Sequence, residues 1–135
     1  MYIIRPLIAL VLAQIIKIII ESLRQKRFDF KRIMGTGGMP SSHAAITVAL
    51  TTQIGKNLGV ETPIFAVALV FTLVILYDAA GIRRAAGKQA VVLNKILDEI
   101  IVNKKVPDSR LKELLGHTPI EVVIGGLLGF FVGWI

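Results

Sequence analysis

From Pro63 to Tyr77 the chain carries no charged side chain, and the first charge it meets is Asp78. A helix at a soluble surface keeps a polar face. The run Ile64, Phe65, Ala66, Val67, Ala68, Leu69, Val70 and Phe71 leaves none, so this segment requires apolar surroundings on every side. Three more apolar segments accompany it. The first runs from about Ile3 to Leu23 and is interrupted by Arg5, Gln14, Lys17 and Glu21. The second, from about Ala44 to Ile54, is short and rich in threonine. The last, from about Ile120 to Ile135, carries Gly125, Gly126, Gly129 and Gly133. A transmembrane helix needs about 20 residues, so all four sit at or below a full span unless their flanks contribute. A soluble four-helix bundle is the competing architecture, and the missing polar face argues against it. The expectation is an all-α integral membrane bundle, one domain over residues 1–135, with about four transmembrane helices.

Composition agrees. Hydrophobic residues make up 54% and charged residues 19%, against about 25% charged in soluble domains. The net charge of +7 is set among long apolar runs. That favours anionic headgroups or phosphate as partners over nucleic acid. The absence of cysteine excludes a disulfide framework, a thiolate zinc site and a cysteine-nucleophile phosphatase. The two histidines, His43 and His117, are too few to build a His/Cys metal cluster by themselves.

Charge also sorts the loops. Arg24, Lys26, Arg27, Lys31 and Arg32 follow the first segment, and a second basic loop runs from Arg83 to Lys112. The loop between the second and third segments holds only Lys56 and Glu61. The positive-inside rule places both basic loops in the cytoplasm and both termini outside, with Arg5 dissenting. The first segment ends in a basic stretch without a small-residue cleavage site, so a retained span is expected rather than a signal peptide. Within the second basic loop, Val92, Leu93, Ile96, Leu97, Ile100 and Ile101 recur at spacings of three and four. They predict an amphipathic helix over about 85–102, on the membrane surface or packed against the bundle. Gly125, Gly129 and Gly133 share one helix face. Such a face serves either a tight internal helix contact or a homodimer seam.

The stretch Gly35-Thr36-Gly37-Gly38-Met39-Pro40-Ser41-Ser42-His43 carries the most chemistry. Ser41 and Ser42 are good N-cap residues before an apolar helix. A helix N-terminus offers N–H groups and a positive dipole end to an anion, and His43 falls in its first turn. The alternative is a capped helix start with an incidental histidine. Thr118-Pro119-Ile120-Glu121 reads as a capping box just after His117. Glu121 either completes that box or hydrogen-bonds His117, and both uses stay open. Lys17 and Arg24, two turns apart, share a face of the first helix. Lys17 lies inside the apolar segment, where an ionisable group is a functional candidate unless it snorkels to the interface. Helix order brings Lys17, Arg24, Ser42, His43, Asp78, Arg83, Arg84 and His117 to one membrane face. Cations, a nucleophile and an acid together are what phosphoryl transfer requires.

Here the sequence resembles the divergent branch of the type-2 phosphatidic acid phosphatases, related to acid phosphatases and vanadium haloperoxidases, over nearly its whole length. The family's Lys-x6-Arg-Pro is matched by Lys17 and Arg24, with Gln25 in place of proline. Its Pro-Ser-Gly-His reads Pro40-Ser41-Ser42-His43. Its third motif is Ser-Arg, five residues, His, three residues, Asp. Ser109-Arg110 stands one residue too far from His117, and Glu121 replaces the aspartate. The divergent branch carries a segment like Asp78-Ala79-Ala80-Gly81-Ile82-Arg83-Arg84, so Arg83 or Arg84 would supply the missing guanidinium. The resemblance implies His117 as the nucleophile that becomes phosphohistidine and His43 as the acid. Glu121 would orient His117, while Lys17, Arg24, Ser41, Ser42 and Arg83 or Arg84 would hold the phosphate oxygens. Gly38 and Asp78 would support the site, Asp78 by pairing with a cation rather than ligating a divalent ion. No metal and no organic cofactor is implied. The substrate would be a lipid-linked phosphate monoester or pyrophosphate. The alternative is a catalytically silent relative that binds or moves anionic lipids.

Overall fold

The structure, a computed structural model, describes residues 1–25, 38–101 and 117–135. Five helices follow in order: α1 (Ile4–Gln25), α2 (Ser42–Leu58), α3 (Pro63–Ala80), α4 (Ile82–Ile101) and α5 (Pro119–Trp134). The four apolar segments and the amphipathic stretch each become one helix. Gly59, at φ 94°, ends α2. Thr62 caps α3 with Pro63 in its first turn. Gly81 separates α3 from α4, donating its N–H to the Tyr77 carbonyl at 2.8 Å.

The second helix is the hub, packed against α1, α3 and α5. Small side chains make this close packing feasible. Ala9 and Ala13 of α1 meet Ala45 and Ala49 of α2, with Leu128 and Val132 of α5 closing over them. Where lipid already satisfies apolar groups, helices associate through close backbone approach and interhelical hydrogen bonds rather than through hydrophobic burial. Both are present. A Cβ at Gly125 would strike the carbonyl of Ser41, one at Gly129 that of Ala45, and one at Gly133 that of Ala49. The two stripes repeat every four residues in matched register, so α2 covers the whole glycine face. Of the two uses open to that face, the tight internal helix contact is the one the structure shows.

Hydroxyls join α2 to α3. The Thr51 and Thr72 side chains lie 2.8 Å apart, Thr51 also donates to the Ala68 carbonyl, and Thr72 reaches the Thr47 carbonyl at 3.2 Å. Thr72→Val is expected to loosen this pair by about 0.6–2 kcal/mol, the range for membrane interhelical hydrogen bonds. Thermal unfolding in detergent would measure it.

The outer surface is apolar. Val67, Val70, Phe71 and Val74 of α3 are each at least 60% exposed, a belt suited to acyl chains rather than water. Residues Ile4–Leu23, with mean hydropathy 2.0, and the stretch that starts at Pro63 are long and apolar enough to cross a membrane; α5 is apolar but shorter. In α4, which packs against α3, Val92, Leu93 and Ile96 of the apolar stripe remain exposed. That is the disposition of an interfacial helix presenting its stripe to lipid.

Candidate functional site

The site begins where α2 begins. Ser41 is the N-cap, its Oγ accepting the Ala44 N–H at 3.4 Å, and its side chain is fully buried. Its own N–H donates to the Glu121 carbonyl at 2.9 Å. One residue thus starts α2 and ties it to the first turn of α5. Ser42 and His43 follow it in the first turn of α2. The nearest seam glycine, Gly125, lies against Ser41. The seam therefore sets the spacing between the two helix starts.

His117 immediately precedes the capped start of α5 and is 4% exposed. Thr118 and Glu121 form a complete capping box: the Glu121 N–H donates to Thr118 Oγ1 at 3.4 Å, and Glu121 Oε2 accepts the Thr118 N–H at 2.9 Å. The same Oε2 lies 3.3 Å from His117 Nδ1. The two uses left open by the sequence coexist on one carboxylate oxygen. An Nδ1–H donated to Glu121 leaves the lone pair on Nε2. The ring of His43, an exposed residue in the first turn of α2, stands edge-on to that of His117 with centroids 6.0 Å apart.

The first helix contributes Lys17, 8% exposed. A Cβ at Gly38 would sit 2.9 Å from Lys17 Cε and 3.3 Å from Glu21 Oε2. Gly38 adopts φ 91°, a left-handed backbone that favours glycine. The turn therefore closes over the lysine stem only because residue 38 has no side chain. Helix α1 packs against both α2 and α5. Ala79, next to Asp78, packs with Ala44 and Val122. Asp78, half-buried, thus belongs to the same end of the bundle.

The structure therefore brings together Lys17, Gly38, Ser41, Ser42, His43, His117 and Glu121, with Asp78 at the same end. The side chains of Arg24, Arg83 and Arg84, and all of Arg110, lie outside the described residues. Two features escaped the sequence reading. The place of Glu21 beside Gly38 is a tertiary contact that no spacing in the sequence announces. The Ser41–Glu121 backbone bond has no side-chain signature at all. Chemically, the site offers two helix N-termini and a buried ammonium to an anion, with an imidazole on each side.

The model of the Divergent PAP2 family matches residues 1–132. The chain is also similar to the uncharacterized membrane protein YuiD of Bacillus subtilis (strain 168), 40% identical over 137 residues that cover 93% of this chain and 87% of the relative. No solved structure matches the chain.

Proposed function

The chain belongs to the divergent PAP2 family, and from that premise we propose that it is a membrane phosphatase. Its substrate would be a lipid-linked phosphate monoester or pyrophosphate. The observation that carries the reading is the His117–Glu121 pair facing His43 across 6.0 Å. Two imidazoles this close can both reach one phosphoryl group.

In this mechanism His117 Nε2 attacks phosphorus. The nitrogen–phosphorus bond forms as the bond from phosphorus to the lipid oxygen breaks, and His43 donates its proton to that oxygen. Water then attacks the phosphohistidine, His43 takes the proton, and the bond to His117 breaks to release phosphate. Glu121 holds the His117 ring and stabilises the positive charge that develops on it. Lys17, Ser41, Ser42 and the N–H groups of Ser42 and His43 hold the phosphate oxygens, with Arg24 and Arg83 or Arg84 as further cations. A preorganised cationic cradle of this kind acts where transition-state charge accumulates.

The rival reading, a silent relative that binds anionic lipid, keeps the cradle without turnover. Phosphate release from detergent-solubilised lipid phosphates, with and without vanadate, separates the two. Vanadate-sensitive release supports the phosphatase, and vanadate binding without release supports the silent binder. Lys17→Met is expected to weaken vanadate binding about tenfold or more, the worth of one charge-assisted contact. Unchanged affinity in a folded variant would make Lys17 structural. The positive-inside bias of the basic loops supports a cytoplasmic site. A cysteine introduced at Lys112 should accordingly resist impermeant labelling from outside intact cells, and labelling there would reverse the orientation.

A further inference from the structure

On the flank of the bundle a groove of about 600 Å³ opens between α3 and α5 with α2 as its floor. Val48 and Thr52 lie beneath it, Leu69 and Leu76 form one wall, and Phe130 and Trp134 form the other. That volume falls within the range of small-molecule sites. The lining is almost entirely apolar, and Phe130 and Trp134 stack at 5.8 Å.

Two observations join this groove to the histidine site. His43, Thr47 and Thr51 fall on one face of α2, and the Thr47 hydroxyl donates to the His43 carbonyl at 2.8 Å. Thr51, the next step along that face, lines the groove. On the other wall, Leu76 packs against Ala44, Ala79 and Val122, the residues that hold the starts of α2 and α5 together. One end of the groove therefore adjoins the residues that hold the two helix starts together. At its far end Lys56 donates to the Trp134 carbonyl and lies 5.5 Å from the centre of the indole ring. From Leu76 to Phe65 the wall is about 16 Å long by the helix rise, roughly the reach of a twelve-carbon chain.

We propose that this groove seats one apolar chain of the phosphorylated lipid whose phosphate lies between His43 and His117. The inference rests on the phosphatase reading for the head of the substrate and adds the seat of its tail. The Lys56–Trp134 contact at the far end makes the site measure chain length. A chain that fills the groove to Trp134 gains contacts that a short chain lacks.

Trp134 is the chain's single tryptophan, so it reports the far end directly. The probe is a dodecyl phosphate brominated at its terminal carbons, added to the full-length protein in detergent micelles. Expected is saturable quenching of Trp134, displaced by unlabelled dodecyl phosphate. The half-saturating concentration should rise about tenfold or more for the matching brominated alcohol, which lacks the phosphate contacts. Bromines placed beside the phosphate should quench far less than terminal ones. Thr52→Phe, which fills the floor, should remove the saturable quenching, whereas Val70→Phe on the outer face of α3 should leave it intact. Equal quenching by phosphate and alcohol would mean general lipid contact and overturn the proposal. So would stronger quenching from bromines near the head, a comparison that needs no variant. Phosphate release without saturable quenching would remove the groove and leave the phosphatase reading. Quenching without release would leave the groove and remove the phosphatase.

Discussion

His117→Ala is expected to eliminate turnover of every phosphorylated substrate, because the bond-forming nitrogen is gone. His43→Ala should be unequal to it. Loss of a general acid costs about 10²–10⁴-fold, and the loss shrinks for a substrate with a good leaving group, such as an aryl phosphate, which needs less protonation. The asymmetry follows from placement. His117 is buried and held through Nδ1 by Glu121, the setting of a nucleophile with a fixed lone pair. His43 is itself exposed among the buried residues that start α2, where a proton can exchange with water. Rates of both variants on a lipid phosphate and an aryl phosphate check this. If an aryl phosphate rescued His117→Ala and not His43→Ala, the roles would be reversed. Small, equal losses would exclude a phosphohistidine route.

Gly129→Ala should destabilise the protein severely for a single methyl group. The added Cβ would meet the backbone of Ala45 rather than a yielding side chain, so the helices must part. Overpacking typically costs about 1–3 kcal/mol and occasionally more, and parting the seam also shifts His43 against His117. Gly126→Ala is the matched control. Its Cβ would meet only Val48 Cγ2 at 3.8 Å, an ordinary contact, and alanine is the better helix former by about 1 kcal/mol. Thermal unfolding in detergent should therefore show a marked drop for Gly129→Ala and none for Gly126→Ala. Equal melting temperatures would mean that the α2–α5 seam is looser than described.

Much of this was legible in the chain. The charge-free run before Asp78 demanded apolar surroundings, and the helix starts at Ser41 and Thr118 carried their caps in the sequence. The convergence of Lys17, His43 and His117 followed from helix order alone. What was illegible was pairing. Gly125, Gly129 and Gly133 announce a close contact, but a small-residue stripe does not name its partner, and α2 offers only Ser41, Ala45 and Ala49 in return. Glu121 could be read as a cap or as a histidine partner, since the spacing of each is satisfied by the same residue. Its Oε2 does both. The groove was hidden because its lining is drawn from three helices, and each contributes residues that look like ordinary lipid-facing positions.

The most direct test of the central claim is to trap the covalent intermediate. The protein would be mixed with a lipid phosphate carrying radiolabelled phosphorus, quenched in alkali during turnover, and digested for peptide mapping. A phosphoryl group on imidazole survives alkali and is lost in acid. The account predicts label on the peptide containing His117, absent from His117→Ala and accumulating when the second, water-dependent step is slowed in His43→Ala with an aryl phosphate. Phosphate release with no label on His117, or label on any other residue, would contradict it.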